Sequence, residues 1–407
     1  MQRRMSAIQN SKLQDTGLYM GPVIEHAWFE DIACENQLPG SETGLVAEQA
    51  PIKNFVRRLK RIKQLGKGGF GTAYLCTYTD PHTQISETVV AKFPNDVNAN
   101  VEDYHSSHSS LYQMKNLEVM EAFQQEALNA QLLLEGRTAC ELFPAGKPMH
   151  VHRSELEQIR QELHAMQKQP GYDHIHKLRH LVTVPYAVLI SEPCDGSLQN
   201  VVDGNVSGKC LWPNLLLTLY GLPSVWPNMC KQICEGIAYM HHMGLGHMDM
   251  KPDNVLYRID PHTAAIRCYI ADFGGCLPAH TRVEPTTGFS YTPYFFDERS
   301  KHFKPQYSDW YSTAVTLLTL LVVQLDVERR ISFCQPKKSL QQWSAVLQEN
   351  AQGMPDSQAL AVLKTCCAIV DAGHTVQADD GSDERSVLYA RLLTLLSSPR
   401  YKVPHAL

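Results

Sequence analysis

Three features of the sequence predict an α+β chain in two parts. Short β-like runs broken by glycine, proline and aspartate fill residues 60–95, and two more apolar runs stand near 177–193. The remainder is mainly of helical period. The sum is a five-stranded antiparallel sheet with helices beside it, followed by a mostly helical part. At 407 residues and 43% hydrophobic content, the chain can bury a sizeable core and is too long for one small module. The expected parts are an N-terminal extension (1–55), a sheet-bearing part (56–193) with a helical insertion near 135–172, and a helical part (194–407).

The extension is polar and turn-rich ("CENQLPGSETGLVAEQAP"), which reads as loosely attached and partly disordered. "RRLKRIKQLG", "TAYLCTYT" and "ISETVVAKF" are three successive antiparallel strands. "LEVMEAFQQEALNAQLLL" (117–134) and "SELEQIRQELHAMQKQ" (154–169) carry apolar residues at three- and four-residue intervals without internal Gly or Pro, so both are expected helices. "HKLRHLVTV" and "YAVLISEP" complete the sheet. Beyond them, "NVLYRIDPHTAAIRCYIADF" reads as a hairpin within otherwise helical sequence. The acidic loop "DAGHTVQADDGSDERS" (371–386) precedes a last apolar helix, "VLYARLLTLLSS".

Composition narrows the function. A net charge of -5 supplies no basic field of the kind that binds phosphate backbones, so direct nucleic-acid binding is not expected. The 12 cysteines have no C-x-x-C pair or regular spacing, which favours a reduced cytoplasmic or nuclear setting over a disulfide framework. The N-terminus lacks the apolar core of a secretory signal. The longest apolar run, "TAVTLLTLLVVQL" (313–325), is too short for a bilayer and reads as a buried helix, so no membrane partner is expected. Histidine clusters are not joined by cysteines at metal-site spacing. "VRRLKRIK" (56–63) has the composition of a nuclear-localisation patch but runs into the first strand.

Gly66, Gly68 and Gly71 stand in the spacing G-x-G-x-x-G, which dinucleotide-binding turns share. Those need a helix from the third glycine, whereas a β-rich run follows here. Glycines between two strands suit a flap whose N–H groups close over phosphates; an ordinary glycine-rich hairpin has the same signature. Lys92, in "VVAKF", needs an anion if it is buried and would otherwise extend to solvent from an edge strand. The remaining chemistry is concentrated in "GLGHMDMKPDNVLY" (244–257), where an acid, a base and an amide recur at fixed intervals among apolar residues.

Taken in order, the glycine flap, Lys92, "HMDMKPDN" (247–254), "DFG" (272–274) and "SDWYSTAV" (308–315) resemble the eukaryotic-type protein kinases, most closely the Ser/Thr class. The resemblance covers roughly 60–400 and implies the bilobal kinase-like fold, protein substrates, and ATP with Mg2+ held between the lobes. It assigns Asp249 to accept the proton of the substrate hydroxyl and Lys251 to offset charge on the transferring phosphoryl group. Asn254 and Asp272 become metal ligands. Gly66, Gly68, Gly71 and Lys92 become the phosphate site, and Glu192 to Cys194 the adenine hinge, with Ser191 guarding the pocket behind it. Asp309 is the buried brace of the catalytic loop. Two glutamates compete as the partner of Lys92. Glu126 is chosen over Glu162 because it lies 34 rather than 70 residues beyond the lysine.

The departures from the family are informative. Met248 stands where an arginine usually pairs with a phosphate on the activation segment, which implies little dependence on that phosphate. No clean "APE" follows; Glu298 of "SYTPYFFDERS" is its nearest equivalent, with Arg400 as a partner. Ala73 replaces the usual valine above the adenine, losing some apolar contact. These loosened motifs and insertions resemble kinases of large DNA viruses. The competing readings are a pseudokinase or nucleotide-binding scaffold, and a small-molecule kinase, which usually lacks both the Phe-Gly after the metal-binding Asp and the Lys two past the base.

Overall fold

The computed structural model describes residues 19–20, 59–68, 71–79, 86–95, 110–142, 153–182, 188–202, 225–263, 265–279, 292, 295–297, 304–322, 357–372 and 384–397. The chain has the expected bilobal α+β architecture and divides into two compact units. The first comprises Met1–Gln131, Arg137–Ile159 and Leu178–Pro193; the second comprises Leu132–Gly136, Arg160–Lys177 and Cys194–Leu407.

In the first unit the five expected strands are β2 (Lys60–Lys67), β3 (Gly71–Thr79), β4 (Ser86–Pro94), β5 (Leu178–Val182) and β6 (Val188–Ser191). They pair antiparallel in the order β5-β6-β4-β3-β2, and a two-residue strand, β1 (Tyr19–Met20), adds to the β5 edge. The period of two decides which side chains do chemistry. On β4, Val89, Ala91 and Phe93 point into a core with Cys76, Val188 and Ile190, which puts Lys92 on the opposite face. Arg61 of β2 lays its guanidinium 4.2 Å from the Phe93 ring centroid and 4.7 Å from that of Tyr74.

Helix α1 (Ser110–Glu135) starts earlier than the 117 expected. Its Phe123, Ala127, Ala130 and Leu133 are buried at helical spacing. The Phe123 ring of this helix packs over Gly71 of the sheet. A Cβ there would lie 2.7 Å from the Phe93 carbonyl oxygen and 2.9 Å from the Phe123 ring, so only glycine fits without a shift. Helices α2 (Arg137–Leu142) and α3 (Arg153–Gln167) follow.

The second unit includes the last turn of α1, whose orphan carbonyls are capped by tyrosines. Tyr239 donates to Leu133 O at 2.7 Å and Tyr172 to Leu134 O at 3.1 Å. A two-residue strand, β7 (Gly196–Ser197), pairs with the later hairpin and leads into the short helix α4 (Leu198–Val202). The core of the unit is built from α5 (Val225–His242), α6 (Pro305–Val322), α7 (Ser357–Asp371) and α8 (Glu384–Leu396). The run read as a buried helix is α6; residues 323–325 of it lie outside the described residues. Its buried Thr316 and Thr319 return their hydroxyls to the carbonyls of Ser312 and Val315 at 2.8 Å, which is how polar residues are accommodated there. Among the described residues no helix is long and apolar enough to cross a membrane.

Two small sheets position the chemistry. The hairpin β9 (Val255–Ile259) and β10 (Ile266–Ile270) turns through Asp260, whose Oδ1 accepts the amides of His262 and Thr263 at 2.8 Å. Gln232 of α5 clips this hairpin at both groups of its amide, donating to Ile266 O at 2.9 Å and accepting from Cys268 N at 2.8 Å. Strands β8 (Leu245–Gly246) and β11 (Leu277–Pro278) pair antiparallel on either side of the hairpin in sequence.

Candidate functional site

In the first unit, β4 delivers Lys92 to α1. Its Nζ lies 2.8 Å from Oε2 of Glu126, the two side chains being 22% and 12% exposed. Burial without a partner would be costly for either charge, so the pair fixes both. Glu162, the other glutamate weighed, belongs to the second unit, where a Cβ on Gly136 would come within 2.7 Å of its carboxyl. Gly66 and Gly68 are exposed, and Gly68 N donates to Gly71 O at 2.8 Å. Asn95 steadies that turn by donating to Gly68 O at 2.8 Å while accepting from Thr72 Oγ1 at 2.8 Å. Its sequence neighbourhood carries no motif, so only the fold finds it. Ser191 is buried at the end of β6, and Glu192 and Cys194 are half-buried after it. Arg179 of β5 holds Glu87 at 2.8 Å and reaches within 3.8 Å of Glu192.

In the second unit the loop after β8 is held by Asp309, which is fully buried on α6. Its Oδ2 accepts the amide of His247 at 2.7 Å and its Oδ1 that of Met248 at 2.8 Å. His241 of α5 adds a third contact, with Nε2 at 2.8 Å from Oδ2. Met248 takes φ 72°, a strained value for a non-glycine residue, and the two clamped amides supply its restraint. His247 orients the residue two further on: Nε2–H donates to Ala271 O at 2.9 Å and Nδ1 accepts the Asp249 amide at 3.3 Å.

Both oxygens of Asp249 are therefore aimed and engaged. Lys251 Nζ lies 2.6 Å from Oδ2, and Thr292 donates its hydroxyl to Oδ1 at 2.8 Å. Lys251 also donates to the Thr292 hydroxyl at 2.9 Å, which closes a triangle of acid, base and alcohol. Asn254 anchors the loop from below, giving Nδ2 to Asp249 O at 2.8 Å and to Oδ2 at 3.2 Å. Thr292 escaped the sequence reading. The signal was present in "SYTPYFF", but nothing local ties that stretch to an aspartate 43 residues earlier.

Asn254 accepts the amide of Ala271, the residue before Asp272, at 2.9 Å. Asp272 is exposed, with φ 66°, ahead of the turn Phe273–Gly275 whose Phe273 is buried. Among the described residues no group of three or more His, Cys, Asp or Glu forms a metal cage. Asn254 spends its amide N–H groups on Asp249, so Oδ1 is the donor it would offer a cation, and Asp272 would offer its carboxylate. Such oxygens suit magnesium, which takes few protein ligands when phosphates and water supply the rest.

A second anchor lies five residues past Thr292. Asp297 pairs with Arg385 of α8, both buried, and Arg385 also donates to Ala372 O at 2.8 Å. Glu298 and Arg400, the residues read for such a pair, lie outside the described residues.

Comparison with known proteins agrees with this geometry. The protein kinase domain family matches residues 142–406, well over half of the chain. The serine/threonine-protein kinase ksp1 of Schizosaccharomyces pombe is 25% identical over 118 residues, 28% of this chain and 24% of that protein. The serine/threonine-protein kinase ppk34 of the same yeast is 32% identical over 92 residues, 22% of this chain and 25% of that protein. Calcium/calmodulin-dependent protein kinase type IV of Homo sapiens is 48% identical over 44 residues, 11% of this chain and 9% of that protein. The chain thus spans a quarter or less of each of these relatives, and none of the three is viral. Sheet, braced loop and family match together place this chain in the eukaryotic-type protein kinase family, as a divergent member of its Ser/Thr class.

Proposed function

We propose that this protein is an active kinase that moves the terminal phosphoryl group of ATP onto serine and threonine hydroxyls of protein substrates. The observation that carries the reading is the engagement of Asp249 by Lys251 and Thr292 at 2.6 and 2.8 Å, with its backbone carbonyl tied to Asn254. A carboxylate held this way is positioned to accept a proton, and phosphoryl transfer asks for little beyond positioning and charge neutralisation.

In this reading the substrate hydroxyl oxygen bonds to the γ-phosphorus as the bond to the β–γ bridging oxygen breaks, releasing ADP. The hydroxyl proton passes to Asp249. Lys251 offsets charge on the moving group, and Thr292 orients the acid. Lys92, kept in place by Glu126, takes a nucleotide phosphate, while the glycine flap of Gly66, Gly68 and Gly71 closes over the others with no side chain in the way. Glu192 to Cys194 present the main-chain edge that holds adenine. Asn254 and Asp272 hold magnesium, which when bound neutralises phosphate charge. A cytoplasmic or nuclear setting follows from the cysteine spacing in the sequence.

The test is radiolabelled phosphate transfer from ATP to generic basic and acidic proteins, comparing the natural chain with Asp249→Asn. Transfer by the natural chain that the substitution abolishes supports the reading. Labelling that survives it removes Asp249 from the mechanism. Calorimetric uptake of magnesium-ATP with no transfer by the natural chain replaces the reading with a nucleotide-binding scaffold.

A further inference from the structure

The residue ahead of Asp249 does something the rest of the site does not use. Met248 is only 3% exposed, and its side chain packs against Leu277 and Phe296. Leu277 sits opposite Gly246 in the β8–β11 pair, so it is fixed relative to the loop. Phe296 follows Phe295, whose N donates to Thr292 O at 2.9 Å. The neighbouring Asp297 is paired with Arg385.

We propose that Met248 and Phe296 form an apolar pin that seats Thr292 on Asp249 without any phosphate on the segment following Asp272. Met248 is thus a positioning residue, acting through Phe296 and Thr292 on the acid. The proposal rests on reading Asp249 as the acceptor of the substrate proton, but the seating itself is a property of the fold.

The argument is one of charge. A contact between a cation and a phosphate exists only after modification and weakens with salt, whereas apolar burial is present as soon as the chain folds. The three anchors divide the work. Thr292 bonds the acid at 2.8 Å, Phe296 covers Met248, and Asp297 closes on Arg385. None of these contacts requires a modified side chain. A guanidinium in place of Met248 would have to be desolvated against Leu277 and Phe296.

The test uses the full chain, before and after phosphatase treatment, with Met248→Leu, Met248→Ser and Phe296→Ser. Two readouts are taken: hydrogen exchange at the Phe295 amide, and transfer kinetics. In the natural protein, phosphatase should leave Phe295 protection intact and kcat within about twofold. Met248→Ser and Phe296→Ser should each lose that protection and lower kcat about tenfold or more, with KM for ATP unchanged, while Met248→Leu keeps both. Exchange at α5 amides separates loss of seating from loss of fold. If one serine variant does not fold, the other decides.

Loss of Phe295 protection on phosphatase treatment overturns the pin. So does a folded serine variant that protects Phe295 as well as Met248→Leu does. A natural chain that transfers no phosphate yet shows the expected exchange pattern counts against the kinase reading and leaves the pin standing.

Discussion

Thr292 donates its hydroxyl to Oδ1 of Asp249 at 2.8 Å while accepting from Lys251 at 2.9 Å. A single alcohol thus bridges the acid and the base that sit two residues apart in the loop. Removing it leaves the acid with one orienting partner fewer. Thr292→Ala should lower kcat for peptide phosphorylation with little change in KM for ATP, and Thr292→Ser should restore most of it. Asp249→Asn should cost about 10²–10⁴-fold in kcat, the range of a positioned general base. Steady-state kinetics on one peptide checks all three, and an unaffected Thr292→Ala would show the bridge to be ornamental.

Lys92 and Glu126 are both mostly buried, so each depends on the other. Lys92→Met should weaken ATP uptake by about tenfold or more, since a phosphate contact with a charged donor is worth on the order of 1.5–3 kcal/mol. Glu126→Gln should weaken it less, because the lysine is kept and only its restraint is lost. Titration calorimetry with magnesium-ATP measures both. Equal losses in the two variants would mean that α1, and not the ion pair, sets the lysine.

Asp309 carries three contacts in a fully buried position. Asp309→Ala leaves the amides of His247 and Met248 without an acceptor and should destabilise the protein by about 3–5 kcal/mol. Asp309→Asn keeps one carbonyl acceptor and should cost less. Chemical denaturation resolves the two; a neutral alanine variant would mean that water replaces the carboxylate.

His174 gives a pH dependence. Burial pushes its pKa below the ordinary 6.5, opposed by the bond that Nδ1–H donates to Cys268 O at 3.1 Å. The unfolded chain therefore binds the proton more readily than the native one. This contribution is complete above pH 6.5 and is lost as pH falls toward the native value. Glu235, with Oε2 3.9 Å from Nε2, is raised by burial and acts in the opposite sense in the window above 4.5. His174→Asn retains a donor for Cys268 O without the titration, so its stability should fall less steeply below pH 6.5. Parallel denaturation curves in that range would rule the histidine out as the cause.

Much of the fold was legible because its signals are local. Alternation at Val89, Ala91 and Phe93 marks a strand with one buried face, and it follows that Lys92 lies on the other. Helical spacing in α1 and α3 and the polar turn at Asp260 were equally readable, since neighbours in the chain generate them. Helix boundaries were less so: α1 begins at Ser110, and tertiary contacts set where a helix starts and ends.

The sequence alone determined the strand and helix order, the loop that keeps Asp249, Lys251 and Asn254 within six residues, and the methionine directly ahead of Asp249. Chain connectivity is enough for all of these. Only the tertiary structure decided that Glu126 meets Lys92, that Thr292 bridges Asp249 and Lys251, that His241 shares Asp309, and that Asp297 closes on Arg385 88 residues away. Apart from Glu126, which its shorter distance along the chain favoured over Glu162, such contacts join stretches whose spacing carries no signal. They form where packed helices bring buried charges and donors together, and burial makes an unpaired partner too costly to keep.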